Sequence, residues 1–160
     1  MLGPLLNPVQ AKRQLLGVFS DKYLKIMAET LRAHGSKKAW VVNGFDGMDE
    51  ITLTGKTKVA ELSNNKIKEF EIDPLKYNFK LCNQKSLKGG SPIENANKMI
   101  KLLEGEQGPY RDIVILNSAA TFYIADKVNN IEEGIELSKT LIDSKKALNT
   151  LNKLKQVSNE

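Results

Sequence analysis

The stretch from Arg13 to Val42 constrains the fold more than any other part of the sequence. Arg13-Gln14-Leu15-Leu16-Gly17-Val18-Phe19 is an apolar run of strand length, and Ser20 stands where a helix N-cap belongs. Leu24, Met27, Ala28 and Leu31 then recur at helical spacing and Gly35 follows as a stop, which predicts a helix from about Asp21 to His34. Ala39-Trp40-Val41-Val42 is a second short strand, closing in the turn-rich Asn43-Gly44-Phe45-Asp46-Gly47. Parallel strands need a crossover of about this length, so the succession predicts a parallel α/β unit. His34 beside Gly35 reads as a helix C-terminal residue suited to the helix dipole, with no catalytic role.

Beyond this unit, Asp49 to Thr54 alternates polar and apolar residues until Gly55 breaks the pattern. Val59-Ala60-Glu61-Leu62, the turn Ser63-Asn64-Asn65 and Ile67 to Ile72 read as a β-hairpin, and Asp73-Pro74-Leu75 starts another turn. Ser91-Pro92-Ile93-Glu94 is a capping box with proline at the first helical position. It opens a helix with Ala96, Met99, Ile100 and Leu103 on one face, ended by Gly105. Tyr110 to Val128 is nearly continuously apolar, and its length favours a buried helix. Ile131–Ile142 and Lys146–Leu154 follow as amphipathic helices. Residues 1–154 are expected to form one domain, with 155–160 a flexible, frayed tail.

A chain of 160 residues can bury roughly two thirds of its unfolded surface, so neither disulfide nor metal is needed for stability. The 24 Lys+Arg and 19 Asp+Glu leave a charge of +5, but the cations are scattered and the aromatics do not interleave with them. That pattern argues against a nucleic-acid surface, which needs a concentrated basic face with stacking platforms. The single Cys82 cannot form an internal disulfide and reads as an inert thiol in a reducing compartment. No signal peptide and no apolar run of membrane-spanning length is present, and a cytoplasmic location is expected. The chain opens inside an apolar, proline-containing motif, so an upstream half is also expected.

Five ordered motifs carry a family resemblance: Gly3-Pro4-Leu5-Leu6-Asn7-Pro8, Gln14-Leu15-Leu16-Gly17-Val18, Gly44-Phe45-Asp46-Gly47-Met48-Asp49-Glu50, Leu87-Lys88-Gly89-Gly90 with Glu94-Asn95-Ala96, and Leu116-Asn117-Ser118-Ala119-Ala120. In that order and spacing, from Leu2 to about Leu154, the chain resembles anthranilate phosphoribosyltransferase. The resemblance implies an α/β fold, the later part of the large α/β domain of the nucleoside phosphorylase/phosphoribosyltransferase fold, with a mixed sheet flanked by helices. It also implies transfer of phosphoribose from phosphoribosyl pyrophosphate to anthranilate in tryptophan biosynthesis. Asp49 and Glu50 match the family's acidic pair, which holds magnesium (Mg2+) against the donor's diphosphate, and Gly3 and Pro4 match the turn beside the anthranilate pocket. Magnesium suits such a pair, because it takes oxygen ligands and is often held by one or two carboxylates completed by phosphates and water. On a regular strand consecutive side chains diverge, so shared service requires the irregular backbone that Gly44 and Gly47 permit.

Each of these residues also has a plainer reading: an Asp-Glu pair alone is a solvated turn, Gly3-Pro4 alone a structural turn. For Gly89-Gly90 the capping box accounts for the residues without a bound phosphate. Asn43 stands where the family commonly has histidine. The family's Gly-Thr-Gly-Gly-Asp loop, Lys-His-Gly-Asn segment and anthranilate-binding arginine match nothing in this sequence. The chain is therefore expected to be a truncated portion of the transferase, inactive alone, with the missing N-terminal half as partner if that half is separately encoded, and with exposed apolar strand edges that favour self-association. The rival expectation is a non-catalytic α/β remnant serving as a binding or nucleic-acid interaction module.

Overall fold

The computed structural model describes residue 5 and residues 11–158. Among them four strands form one sheet in the order β1-β2-β3-β4: β1 (Arg13–Gly17), β2 (Lys38–Gly44), β3 (Thr57–Ser63) and β4 (Lys66–Ile72). β1 and β2 are parallel, with Leu16 opposite Val41, and are joined through α1 (Leu24–Ala33). β2, β3 and β4 are antiparallel. The mixed sheet agrees with the sequence-based expectation, including the hairpin. Its two-residue turn, Asn64-Asn65, takes φ of 49° and 60°, the left-handed pair that matches the twist of a tight hairpin.

β2 is the spine of the molecule because its side chains are buried on both faces. Ala39 and Val41 pack with Leu16, Leu24, Met27, Ala28 and Leu31 under α1. Trp40 and Val42 face the other layer, built from α3 (Pro109–Ile124) and α4 (Ile131–Asp143). α3 is buried over most of its circumference, as its continuous apolar sequence predicts. Gly134 lets α4 sit directly on it, since a Cβ there would lie 2.7 Å from the Ala119 carbonyl oxygen.

Several local expectations change. Ser20 is extended but gives no side-chain cap, and a 3-10 turn at Asp21–Tyr23 precedes α1. Residues 51–53 are not a strand: Ile51, Thr52 and Leu53 are all fully buried in an irregular segment, so their alternation does not separate two faces. α2 (Pro92–Leu103) has the expected capping box, but its predicted apolar face is not its buried one. Leu102 alone is buried, while Ala96 is exposed and Met99 is 46% exposed, because the helix lies at the periphery and only its last turn reaches the core. α3 stops at Ile124, short of Val128, where Asp126 turns to φ 53° and its carboxylate meets Arg13 and Lys38. α5 (Lys146–Ser158) carries helix four residues past Leu154, through most of the segment expected to fray.

The sheet also buries a charge. Glu61, 2% exposed, accepts from Trp40 Nε1 at 2.9 Å and pairs with Lys68 Nζ at 2.9 Å. Burial pushes its carboxyl up, but the bonds from Trp40 and Lys68 outweigh this and hold it below the ordinary 4.5. A depressed carboxyl stabilises the fold above its unfolded pKa and loses that contribution as pH falls through the folded one. Glu61→Gln should therefore destabilise the chain by about 1.5–3 kcal/mol at pH 7, the value of a charge-assisted hydrogen bond. Denaturant titrations from pH 7 downward should show this deficit shrinking below 4.5; a deficit constant to strong acid would refute the assignment.

Candidate functional site

Binding crevices in open α/β sheets lie beyond the carboxyl ends of the parallel strands. Here Gly17 ends β1 and Gly44 ends β2, and a cleft of about 520 Å³ opens beside them against α3. Leu15, Val42, Ile113 and Phe122 give it apolar walls, and Ser118 and Thr121 add hydroxyls. Asp49 and Glu50 both line it, on the loop that follows β2.

The loop is held from three sides. Its turn closes through bonds from the Gly44 amide to the Met48 carbonyl (2.8 Å) and from the Gly47 amide to the Gly44 carbonyl (2.9 Å). Asp46 organises the inside: Oδ1 accepts from the Met48 amide at 3.1 Å, and Oδ2 accepts from Thr52 Oγ1 at 3.0 Å and Thr54 Oγ1 at 2.6 Å. Burial works against the Asp46 carboxylate, yet the bonds from Thr54, Met48 and Thr52 together keep it below its ordinary value. Asp46 is thus saturated with partners and serves as scaffold for its acidic neighbours.

The second hold is steric. A Cβ built on Gly17 would lie 1.5 Å from the Asp49 carbonyl oxygen, so the acidic loop rests directly on the β1 backbone and no other residue fits there without moving it. The third is Asn117 on α3. Its Oδ1 accepts from the Ile51 amide at 3.0 Å and its Nδ2 donates to the Ile51 carbonyl at 2.8 Å and to Ile113 at 2.9 Å. The residue following the acidic pair is fixed by both backbone groups to a buried helix. Asn43, also buried, donates Nδ2 to the Val18 carbonyl at 2.7 Å and ties the ends of β1 and β2 together, so asparagine serves this turn as a strand clamp.

Asp49 and Glu50 themselves are accessible at the cleft. Glu50 is pushed above the ordinary 4.5 by its packing against the cleft wall and then by the Asp49 charge beside it. Two adjacent carboxylates of which one resists ionising are a site that a hard cation would relieve. Among the described residues no group of three or more His, Cys, Asp or Glu side chains stands ready to hold a metal, so these residues offer the pair and not a full cage. Gly3 and Pro4 lie outside the described residues. Gly17, Asp46 and Asn117 belong to the motifs of the sequence, but no local spacing disclosed that they hold the acidic loop.

The cleft on the other side of α3, among Lys88, Lys98, Leu102 and Arg111, holds about 180 Å³ and shares no lining residue with the first. Cys82 is a half-buried free thiol. No helix among the described residues is long and apolar enough to cross a membrane.

The family model described as "Glycosyl transferase family, a/b domain" matches residues 1–148. An anthranilate phosphoribosyltransferase of Parvibaculum lavamentivorans is 48% identical over 159 residues, covering 99% of this chain and 47% of the relative. That of Phenylobacterium zucineum is 46% identical over 157 residues, covering 98% and 46%. The chain thus spans about half the length of the curated relatives it matches. Among solved structures, the anthranilate phosphoribosyltransferase of Thermus thermophilus superposes with a TM-score of 0.87 at 38% identity, covering 95% of this chain and 45% of that one. The Saccharomyces cerevisiae enzyme in complex with PRPP and Mg gives 0.85 at 28%, covering 94% and 44%. The chain belongs to the glycosyl transferase family as its α/β domain, and in sequence and fold alike it is similar to anthranilate phosphoribosyltransferases.

Proposed function

We propose that this chain supplies the metal-and-diphosphate side of an anthranilate phosphoribosyltransferase site, for the transfer that serves tryptophan synthesis, with Asp49 and Glu50 as the magnesium-binding carboxylates. The observation that carries the reading is the Asp49-Glu50 loop itself, held over a cleft at the strand ends by Gly17, Asp46 and Asn117. Its donor set fits magnesium, being two hard carboxylates with room on the cleft side for phosphate oxygens and water. The yeast relative bound to PRPP and Mg, and the same enzyme bound to 4-fluoroanthranilate, support phosphoribosyl pyrophosphate and anthranilate as the substrates.

In this reading each residue of the chain has a bounded task. Asp49 and Glu50 bind the charge side of the donor, and Asn117 fixes the loop so that their carboxylates need no reorganisation when the donor arrives. Leu15, Val42, Ile113 and Phe122 form a dry wall that strengthens those electrostatics. Magnesium bound with the donor supplies neutralisation of the departing diphosphate. Gly3 and Pro4 are assigned to the anthranilate side. Nothing in the chain matches the family's phosphate loop or its anthranilate-binding arginine, so residues 1–154 act as one part of a cytoplasmic enzyme that needs the remaining part to turn over.

Activity tests this directly. The 160-residue chain alone, with donor and magnesium in excess, should consume no anthranilate by fluorescence, and turnover should appear when the part of a relative that it does not span is added. Turnover by the chain alone that Asp49→Asn abolishes would show that the site is complete here. A mixture that stays inactive while the chain binds DNA in a salt-sensitive manner would favour a non-catalytic module instead.

The steric support gives a sharper expectation. Gly17→Ala should displace the acidic loop, and misplacement of about 1 Å can cost about 100-fold in rate. The variant should stay folded by circular dichroism while the reconstituted activity falls by about that factor. Activity within about twofold of the parent would mean that the Asp49 carbonyl contact does not set the geometry.

A further inference from the structure

The two edges of the sheet are built differently. β4 forms one of them and presents Lys66, Lys68, Glu69 and Glu71, all exposed. Charged side chains of this kind keep an edge strand from pairing further. β1 forms the other, and its single charge, Arg13, is turned back on the fold: Nη1 donates to the Ile124 carbonyl at 3.0 Å, and Nη2 pairs with Asp126. The remaining residues, Gln14, Leu15, Leu16 and Gly17, carry no charge to guard that edge.

The backbone of β1 is open as well. The Val18 amide donates to the Val42 carbonyl at 2.9 Å, so in the register that sets Gly17 opposite Val42 the even-numbered amides serve β2. Amides alternate in direction along an extended strand, and those of Leu15 and Gly17 therefore point away from β2. Among the described residues β1 pairs with β2 alone. The layer beside this edge is uncovered too. Val114, Ser118, Thr121 and Phe122 recur at helical spacing as an accessible stripe of α3, whereas Ile115, Leu116, Ala119 and Ala120 are buried. Leu15 and the stripe line the same cleft. Parallel strands normally have both faces covered, so a parallel strand bare along its edge and beside an open helix face is an unfinished surface.

We propose that the β1 edge and this stripe of α3 are the docking surface for the part of the transferase that the chain does not span. That part adds a strand beside β1, bonded to the Leu15 and Gly17 backbone, with apolar side chains laid against Leu15, Thr121 and Phe122. The proposal rests on the transferase reading, and two observations select this occupant. The chain spans about half the length of its relatives, so a body of comparable size is there to be placed. The surface also runs into the acidic site, because Gly17 belongs both to the open edge and to the support under Asp49. A strand added there borders the cleft and can bring donor-binding groups to Asp49 and Glu50. A second copy of the chain would bring another bare edge and none of those groups.

Co-expression of the 160-residue chain with the part of the Parvibaculum lavamentivorans relative that it does not span tests this, read by co-purification and amide hydrogen exchange without magnesium or donor. The expected result is a complex in which the Leu15 and Gly17 amides, fast to exchange in the dilute chain alone, become protected while the exchange of β4 is unchanged. Leu15→Pro removes an outward amide that β2 does not use, and Thr121→Lys sets a charge on the stripe. Each should weaken association by about tenfold or more, with Glu69→Lys on the far edge as the neutral control. Should Leu15→Pro fail to fold, Thr121→Lys decides, because its side chain is exposed. A complex with these properties but no turnover would uphold the docking surface and count against the transferase reading. Turnover with the Leu15 and Gly17 amides unprotected would do the reverse. Failure to co-purify, protection of both amides already in the dilute chain, or Thr121→Lys associating within about twofold of the parent would each overturn the proposal.

Discussion

A single side-chain amide decides where the acidic pair of this chain can be. Asn117 takes both backbone groups of Ile51, 66 residues away in sequence, and so welds an irregular loop to the most buried helix of the fold. Without that clamp the fully buried Ile51 would lose the partner of both its peptide groups, which folded proteins avoid. With it, Ile51 and Leu53 fill the core while Asp49 and Glu50 are left at the rim of the cleft. The placement of two charged groups follows from the burial of the two apolar residues after them.

The rest of the architecture supports that one attachment. β2 is buried on both faces, so its end at Gly44 is a rigid starting point for the loop. Asn43 ties that end to β1, and β1 offers Gly17 as a bare surface for the Asp49 carbonyl. Asp46, the third acid of the same motif, is consumed by Thr52, Thr54 and Met48. Three carboxylates within five residues thus divide into one that builds the loop and two that face the cleft. The division is made by which hydroxyls lie within reach.

The sequence made legible those features whose causes are local. The parallel β1-α1-β2 unit, the Asn64-Asn65 hairpin and the Ser91 capping box all follow from residues within a few positions of one another, and all three form. What sequence alone concealed depends on distant partners. The periodicity of α2 is real, but Met99 is largely solvent-facing and Leu102 is the residue of that helix that is buried. Thr52 reads as the polar member of an alternation, yet it is fully buried because Asp46 and Thr57 receive it. The acidic pair was legible through its motif, whereas the roles of Gly17 and Asn117 were not, since each is defined by a contact with a loop that no local pattern links to it.

The central claim is that Asp49 and Glu50 form half of a cation site, completed by the oxygens of a diphosphate donor. Calorimetric titration of the 160-residue chain tests it most directly, with magnesium alone, with phosphoribosyl pyrophosphate alone, and with both together. The account predicts little or no heat from either ligand separately, saturable binding from the pair, and loss of that binding in Asp49→Asn with Glu50→Gln. Tight magnesium binding without the donor, unaffected by the double substitution, would contradict it.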